Sequence, residues 1–280
     1  MLPEPRRVED GALVTHTPAW RPWLNIDRVI ADNAGPFTGP GTNTWILDDG
    51  LGSVVLIDPG PIDDRHARKV MERVGRRELE AVLVTHTHSD HAPLANPLAR
   101  EMGVPAVGHA SGPGFEPDIR LLDGARLDVG TIALEVVHTP GHSDDHLCFR
   151  AGSVLFTGDH IMGGSSVMVE SMGPYLASLR KLRGTGLERL HPGHGDEMEH
   201  PDDVIDWYVA HRMQRHEQIY QAIAKGAETA TDIVHAVYTD VDPALHPLAS
   251  RSVAAHLTLL VDEDRIALDA GRYVTAPLPR

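Results

Sequence analysis

Short runs of β-branched and aliphatic residues, each ending in turn residues, recur through the first half of the chain. Residues 53–57, 81–84 and 132–137 are three such runs, and a polar loop follows each of them directly. Runs of this length and composition are typical of buried strands. Between the first two, apolar residues recur at helical spacing over residues 64–76. The pattern therefore predicts a β-α-β unit within a mixed α/β domain.

The pattern changes after residue 200, where helical spacing dominates. Residues 201–225 predict a long helix, and Thr229 offers an N-cap for a short helix that ends at Val237. A further amphipathic helix is predicted over residues 247–262, and a hairpin over residues 266–274. Three helices followed by a hairpin predict a winged helix at the end of the chain.

Composition narrows the classes of protein. The 280 residues are 41% hydrophobic and 23% charged, as in a globular protein, and the net charge of −15 opposes binding to nucleic-acid phosphates or an anionic membrane. Cys148 is the only cysteine, which excludes an intramolecular disulfide and a multi-thiolate zinc site, and its place in an apolar run indicates a structural thiol. Residues 1–14 do not resemble a signal peptide and no run is long enough to span a membrane, so we expect a cytoplasmic protein.

The candidate chemistry lies in residues 85–91, just after a predicted strand. His86, His88, Asp90 and His91 occur within six residues. Burying a polar group without a partner costs about 1–3 kcal/mol, and a metal cation removes that cost. Alternation along an extended loop places His86 and His88 on one side, whereas Asp90 and His91 continue around a turn. Two adjacent metal ions would therefore suit this segment better than one.

Three further candidate ligands each follow a predicted strand. They are His142, Asp159 and His194, and each has a glycine beside it that permits a tight turn. Imidazole and carboxylate ligands favour zinc, and iron and manganese are chemically admissible. Asp58, which follows the strand at residues 53–57, precedes all of these positions in the chain.

Taken in this order, the motifs resemble those of the metallo-β-lactamase superfamily. The resemblance implies an αββα sandwich over roughly residues 12–205, with a two-metal site at the mouth between its sheets. It also implies that Asp58 is a structural residue near that site. The implied ligands are His86, His88 and His142 for one metal, Asp90, His91 and His194 for the second, and Asp159 between them.

The resemblance extends beyond the sandwich. Residues 37–44, residues 157–163 and the pair His211-Arg212 are similar to the superfamily branch that contains β-lactamase-like endoribonucleases and bacterial relatives with a C-terminal winged helix. We accordingly predict a catalytic domain over residues 1–205 and a winged-helix domain over residues 206–280. Ala92-Pro93 departs from the glycine-containing continuation of many members, which bears on loop geometry and substrate.

The predicted activity is hydrolysis by a metal-bridging hydroxide, with Asp90 orienting the nucleophile and passing a proton to the leaving group. A small ester, thioester or lactone is favoured over single-stranded RNA, because residues 197–280 hold 14 acidic and 7 basic residues. True β-lactam hydrolysis is disfavoured by the absence of an export signal, and di-iron redox chemistry by His88 where flavoprotein relatives have glutamate. The remaining alternative function is a non-enzymatic winged-helix binding protein with a structural metal. The helices after the sandwich are also candidates for the surface of a homodimer.

The other histidines are expected to lie outside the ligand set. His138 and His191 occur within the motifs but do not match the ligands of the family. His109, His160, His200 and His256 are expected at the surface or behind the ligands, and His160 is a minor candidate for the pocket wall.

Overall fold

The computed structural model describes residues 24–164, 166–239 and 241–276, which form two units. Unit 1 comprises the described residues of Met1–Thr139, Asp145–Ser166 and Thr185–Pro201, and unit 2 those of Pro140–Asp144, Val167–Gly184 and Asp202–Arg280. The opening segment 1–14 and the predicted start of the sandwich at residue 12 lie outside the described residues. The domain boundary at residue 205 stays a prediction.

Unit 1 begins with a six-stranded sheet whose strands follow one another in chain order. Its strands are β1 (Asn25–Ile30), β2 (Asn43–Asp48), β3 (Ser53–Ile57), β4 (Glu78–Leu83), β5 (Ala106–Gly108) and β6 (Ile119–Arg120). The first three pair antiparallel, whereas β3 to β6 pair parallel. The crossovers that parallel pairing needs include helices α1 (Asp64–Val74) and α2 (Ala95–Met102), as the β-α-β pattern predicts.

A second six-stranded sheet completes unit 1, in the order β12-β11-β10-β9-β8-β7. These strands are β7 (Arg126–Val129), β8 (Ile132–His138), β9 (Leu147–Ala151), β10 (Val154–Gly158), β11 (Arg189–Pro192) and β12 (Met198–Glu199). Only β10 and β11 pair parallel, so their carboxyl ends lie side by side. The register shifts between Phe156 and Gly158, which bends the end of β10 where Asp159 follows.

The core of unit 1 has two layers. One contains buried residues of both sheets, including Trp45, Leu134 and Phe149, and the other contains residues of the first sheet with α1 and α2, including Val70 and Leu98. Burial of a large apolar side chain contributes about 1.5–3 kcal/mol. The two layers therefore hold the strand ends that carry the candidate ligands on a rigid frame.

Unit 2 contains α3 (Met172–Leu182), α4 (Pro201–Ala224), α5 (Ala230–Val237), a 3₁₀ turn (Pro243–Leu245), α6 (His246–Asp262) and the antiparallel pair β13 (Ile266–Asp269) and β14 (Arg272–Thr275). Thr229 caps α5 through a capping box with Asp232. Residues of α4, α5, α6 and β13 share one apolar core. The predicted α/β sandwich with a following winged helix is confirmed.

No helix in the described part of the chain combines the length and the apolar character that a membrane span requires.

Candidate metal centre

Four predicted ligands of unit 1 converge where strand ends of its two sheets meet. Asp90 and His91 follow β4, Asp159 follows β10 and His194 follows β11. The Nε2 atoms of His91 and His194 lie 3.2 Å apart, and each lies 3.2 Å from Oδ2 of Asp90. Oδ1 of Asp159 lies 3.4 Å from Nε2 of His91 and 3.3 Å from Nε2 of His194.

The hydrogen bonds made by Nδ1 of His91 and of His194 determine which ring nitrogen presents a lone pair to this cluster. Nδ1 of His91 donates to Oδ2 of Asp58 at 2.9 Å, and Nδ1 of His194 donates to the carbonyl oxygen of Gly41 at 3.2 Å. In the neutral rings Nε2 is then the acceptor. Two imidazole lone pairs and two carboxylate oxygens thus face one another, an arrangement that a bound cation satisfies and that fits the donor set of a zinc-type ion.

The pKa values of His91, His194 and Asp159 show that this cluster favours a positive charge. Burial lowers the pKa of His194, but hydrogen bonds with Asp159 and Asp90 raise it to about 9. The pKa of His91 is likewise raised well above its ordinary value, since the charges of Asp159, Asp90 and Asp58 outweigh burial. Burial raises the pKa of Asp159, but the histidines lower it well below the usual range. Positive charge is therefore strongly favoured here, as a proton or as a metal ion.

Asp58 lies behind both halves of the site. It is buried, and its backbone adopts a φ of +52°, an uncommon conformation for a residue with a side chain. Its carboxylate accepts hydrogen bonds from the main chain and the hydroxyl of Thr85, at 2.8 and 2.7 Å, as well as from His91. The Thr85 hydroxyl therefore accepts from Nδ1 of His86 at 3.0 Å, and Nε2 of His86 is the acceptor.

The remaining ligands of unit 1 form a second group. His86, His88 and Asp159 each offer a ligand atom, and these atoms lie within 4.8 Å of one another. Nε2 of His86 lies 3.0 Å from Nδ1 of His88. Asp159 thus has ligand atoms close to both groups, as a bridging carboxylate requires.

His142 follows β8 on the Pro140–Asp144 segment of unit 2. Its Nδ1 donates to the carbonyl oxygen of Met168 at 2.7 Å, so Nε2 is the nitrogen available to a metal. Its place in the first ligand set remains a prediction.

Glycine is required where β11 ends. A Cβ at Gly193 would lie 2.6 Å from Oδ1 of Asp159 and 2.7 Å from the ring of His91, inside any real contact distance. The main chain of Gly193 accepts from Asn43 at 2.8 Å, which joins β2 of the first sheet to the end of β11. The glycine beside His194 therefore allows close approach of backbone to ligand.

Sequence reasoning gave no role to three residues that support the ligands. The Thr42 hydroxyl donates to Oδ2 of Asp90 at 3.0 Å, Thr85 supports His86, and Nε2 of His146 accepts the main-chain N–H of Asp159 at 3.1 Å. His146 had a sequence signal, since it lies four residues after His142 in a His-rich loop. Thr42 and Thr85 had none of their own, because threonine is common at strand ends.

Other expectations divide between confirmation and correction. Cys148 is a buried thiol outside any disulfide, as expected. His191 stacks on Phe156 with ring centroids 5.1 Å apart, and burial lowers its pKa to about 4, so it is a core residue. His160 and His256 are fully buried, which excludes them from the surface. The ring of His160 lies 6.0 Å from that of His146, centroid to centroid, which is a place behind the ligands, whereas Nδ1 of His256 lies 3.2 Å from Nδ1 of His216.

The chain is similar to known proteins along most of its length. Residues 37–194 match the model of the metallo-β-lactamase superfamily, and residues 229–272 match that of the β-lactamase associated winged helix domain. A β-lactamase-like protein 2 homolog of Drosophila melanogaster is 30% identical over 90% of this chain and 94% of its own length. An atrochrysone carboxyl ACP thioesterase of Aspergillus fumigatus is 29% identical over 76% of this chain and 73% of its own length.

A solved structure shows the same fold. The β-lactamase domain protein of Burkholderia ambifaria superimposes with a TM-score of 0.77 at 22% identity, covering 91% of this chain and 92% of that one. Together with the family match over more than half of the residues, these findings show that the chain belongs to the metallo-β-lactamase superfamily.

Proposed function

We propose that this protein is a dinuclear metal-dependent hydrolase that acts on a small ester, thioester or lactone. The convergence of lone pairs and carboxylate oxygens from Asp90, His91, His194 and Asp159 carries the proposal. His86, His88 and His142 would hold one ion, Asp90, His91 and His194 the second, and Asp159 both. When bound, such ions polarise a carbonyl oxygen and lower the pKa of a water molecule toward neutrality.

The residues of the chain have separable tasks. Asp58 holds the rings of His91 and, through Thr85, His86 in the tautomers that present Nε2. Asp90 is the most exposed carboxylate of the cluster, with 24% of its side chain accessible against 9% for Asp159. Asp90 can therefore accept a proton from attacking water and pass it to the leaving group. The hydrogen bond from Thr42 orients its carboxylate for this transfer.

The substrate class rests on chemistry and on similarity. A relative is named a thioesterase, and the acidic C-terminal segment disfavours a polyanionic substrate. Zinc is the proposed metal because imidazole and carboxylate donors suit it. The cytoplasmic location and the homodimer stay predictions from the sequence.

The test begins with elemental analysis of protein purified without added metal, followed by assays with thioesters, lactones, esters and RNA oligomers. We expect about two zinc ions per chain and turnover of a thioester, lactone or ester. Asp159→Ala and His88→Ala should lose metal and activity together while unit 1 stays folded. Full activity in metal-stripped protein would refute the mechanism, and turnover of RNA alone would replace the substrate class.

A further inference from the structure

His146 is completely buried behind the metal centre and belongs to none of the predicted ligand groups. Its Nε2 lies 3.1 Å from the main-chain nitrogen of Asp159. A main-chain N–H only donates hydrogen bonds, so Nε2 of His146 must carry a lone pair. The neutral ring therefore has its proton on Nδ1.

That proton has a defined acceptor. Nδ1 of His146 lies 2.9 Å from the hydroxyl oxygen of Thr139, which accepts the bond and has two acceptors for its own proton, the carbonyl oxygen of His146 at 3.5 Å and Sγ of Cys148. Sγ of Cys148 lies 3.3 Å from the same hydroxyl oxygen, and its S–H donates to the carbonyl oxygen of Thr157 at 3.7 Å. We call these links, from Asp159 through His146, Thr139 and Cys148 to Thr157, the His146 chain.

The His146 chain has two properties that a general packing role does not require. The direction of its first two links is fixed, because the main-chain N–H of Asp159 only donates and Nδ1 of His146 then donates to Thr139. It also begins and ends on the same turn, since Thr157 and Asp159 flank Gly158 at the end of β10. The His146 chain thus links that turn to Thr139, which directly follows β8, and to Cys148 in β9.

The ring of His146 is also packed tightly against this turn. A Cβ on Gly158, whose φ is +47°, would lie 2.7 Å from Nε2 of His146. The ring lies 5.0 Å from that of His86, centroid to centroid. On another side, the main chain of Gly193 lies close to the Asp159 carboxylate, since a Cβ at Gly193 would lie 2.6 Å from Oδ1. The carboxylate is thus confined by His146 through its main chain and by Gly193 at its Oδ1 atom.

We propose that His146 is a positioning residue for the bridging carboxylate. Locked as the Nδ1–H tautomer, it holds the main chain at Asp159 so that the carboxylate reaches both ligand groups. This inference rests on the proposed metal centre. At comparable sites, replacing a side chain that hydrogen-bonds to a metal ligand lowers metal affinity about tenfold to a hundredfold.

The test measures cobalt and zinc affinity by competition with a chelator, together with the visible spectrum of the cobalt-loaded protein. In His146→Gln the amide oxygen can still accept from Asp159, whereas His146→Leu has no acceptor. We expect His146→Leu to bind its metal at least tenfold more weakly with an altered cobalt spectrum, and His146→Gln to stay within about threefold of wild type. Thr139→Val, which keeps the ring but removes its partner, should weaken binding in the same direction.

His66→Leu is the matched control, because His66 is a buried imidazole of unit 1 that belongs to no ligand group and whose Nε2 lies 2.8 Å from the hydroxyl of Thr44. It should lose stability without the spectral change. Wild-type affinity and spectrum in His146→Leu would overturn the positioning role, as would a His146→Gln variant that binds as weakly as His146→Leu. Failure of the wild-type chain to bind two ions would instead overturn the metal centre itself.

Discussion

Replacing Asp58 by asparagine tests the electrostatic design of the site without changing the shape of a side chain. The main-chain N–H of Thr85 requires an acceptor, so the asparagine oxygen must take the place of Oδ1. Its amide nitrogen then occupies the place of Oδ2, facing Nδ1 of His91 and the hydroxyl of Thr85. A donor replaces an acceptor at both contacts.

The expected loss of metal affinity follows from the hydrogen bond between Asp58 and His91. To avoid two opposed donors, His91 must move its proton to Nε2, the nitrogen that faces Asp90, Asp159 and His194. Keeping the metal-binding tautomer instead loses a hydrogen bond to a charged acceptor, which is worth about 1.5–3 kcal/mol. We therefore expect Asp58→Asn to bind metal about tenfold to a hundredfold more weakly than wild type.

The assay is chelator competition on the loaded protein, with circular dichroism to establish folding. Asp49→Asn is the control, since Asp49 also accepts main-chain hydrogen bonds, from Leu51 and Ser53, but at a turn outside the ligand groups. It should leave metal affinity unchanged. An Asp58→Asn protein that is folded and binds metal as tightly as wild type would refute the argument from tautomers.

Three further predictions concern other parts of the chain. Burial and the positive groups around His256 lower its pKa in the folded protein to about 3. Between that pKa and the unfolded value of about 6.5, only the unfolded chain binds the proton, so the free energy of unfolding falls as the pH falls below about 6.5. Unit 2 should therefore lose about 2 kcal/mol of stability at pH 5. Denaturant unfolding at pH 7.5 and pH 5 checks this, and the loss should vanish in His256→Leu yet persist in a variant of the exposed His235. Gly193→Ala should abolish binding of the second metal, measured by elemental analysis, because its Cβ would overlap Asp159 and His91; two bound ions would contradict the close approach. Thr229→Ala should destabilise unit 2 by about 1 kcal/mol through loss of the capping box, and an unchanged unfolding midpoint would show that the cap carries no stability.

Local pattern predicted most elements of the fold. The strand at residues 53–57 and the helix predicted over residues 64–76, which spans Asp64–Val74, agree closely with the structure, because apolar periodicity and turn residues mark them directly. The strand predicted at residues 81–84 instead spans Glu78–Leu83. Its first half alternates between buried Leu79 and less buried neighbours, a weaker signal than the continuous apolar run that follows.

The supporting residues were beyond prediction from the sequence. His146, Thr85 and Thr42 act through hydrogen bonds to residues 13, 27 and 48 positions away in the chain. Threonine occurs throughout the sequence, so type and spacing do not separate Thr85 and Thr42 from the rest, and the spacing of His146 from His142 does not indicate that it contacts Asp159. His256 shows the reverse case, since a histidine expected at the surface or behind the ligands is completely buried beside His216 in unit 2.

The sequence by itself determined the α/β class, the winged helix and the types of residue able to bind metal, because each depends on short-range periodicity or on the chemistry of single side chains. Only the tertiary structure decided which nitrogen of each imidazole faces the candidate centre and which groups hold it there. Those choices depend on donors and acceptors brought together by strand pairing and by the contact of two sheets, over separations that no local pattern encodes.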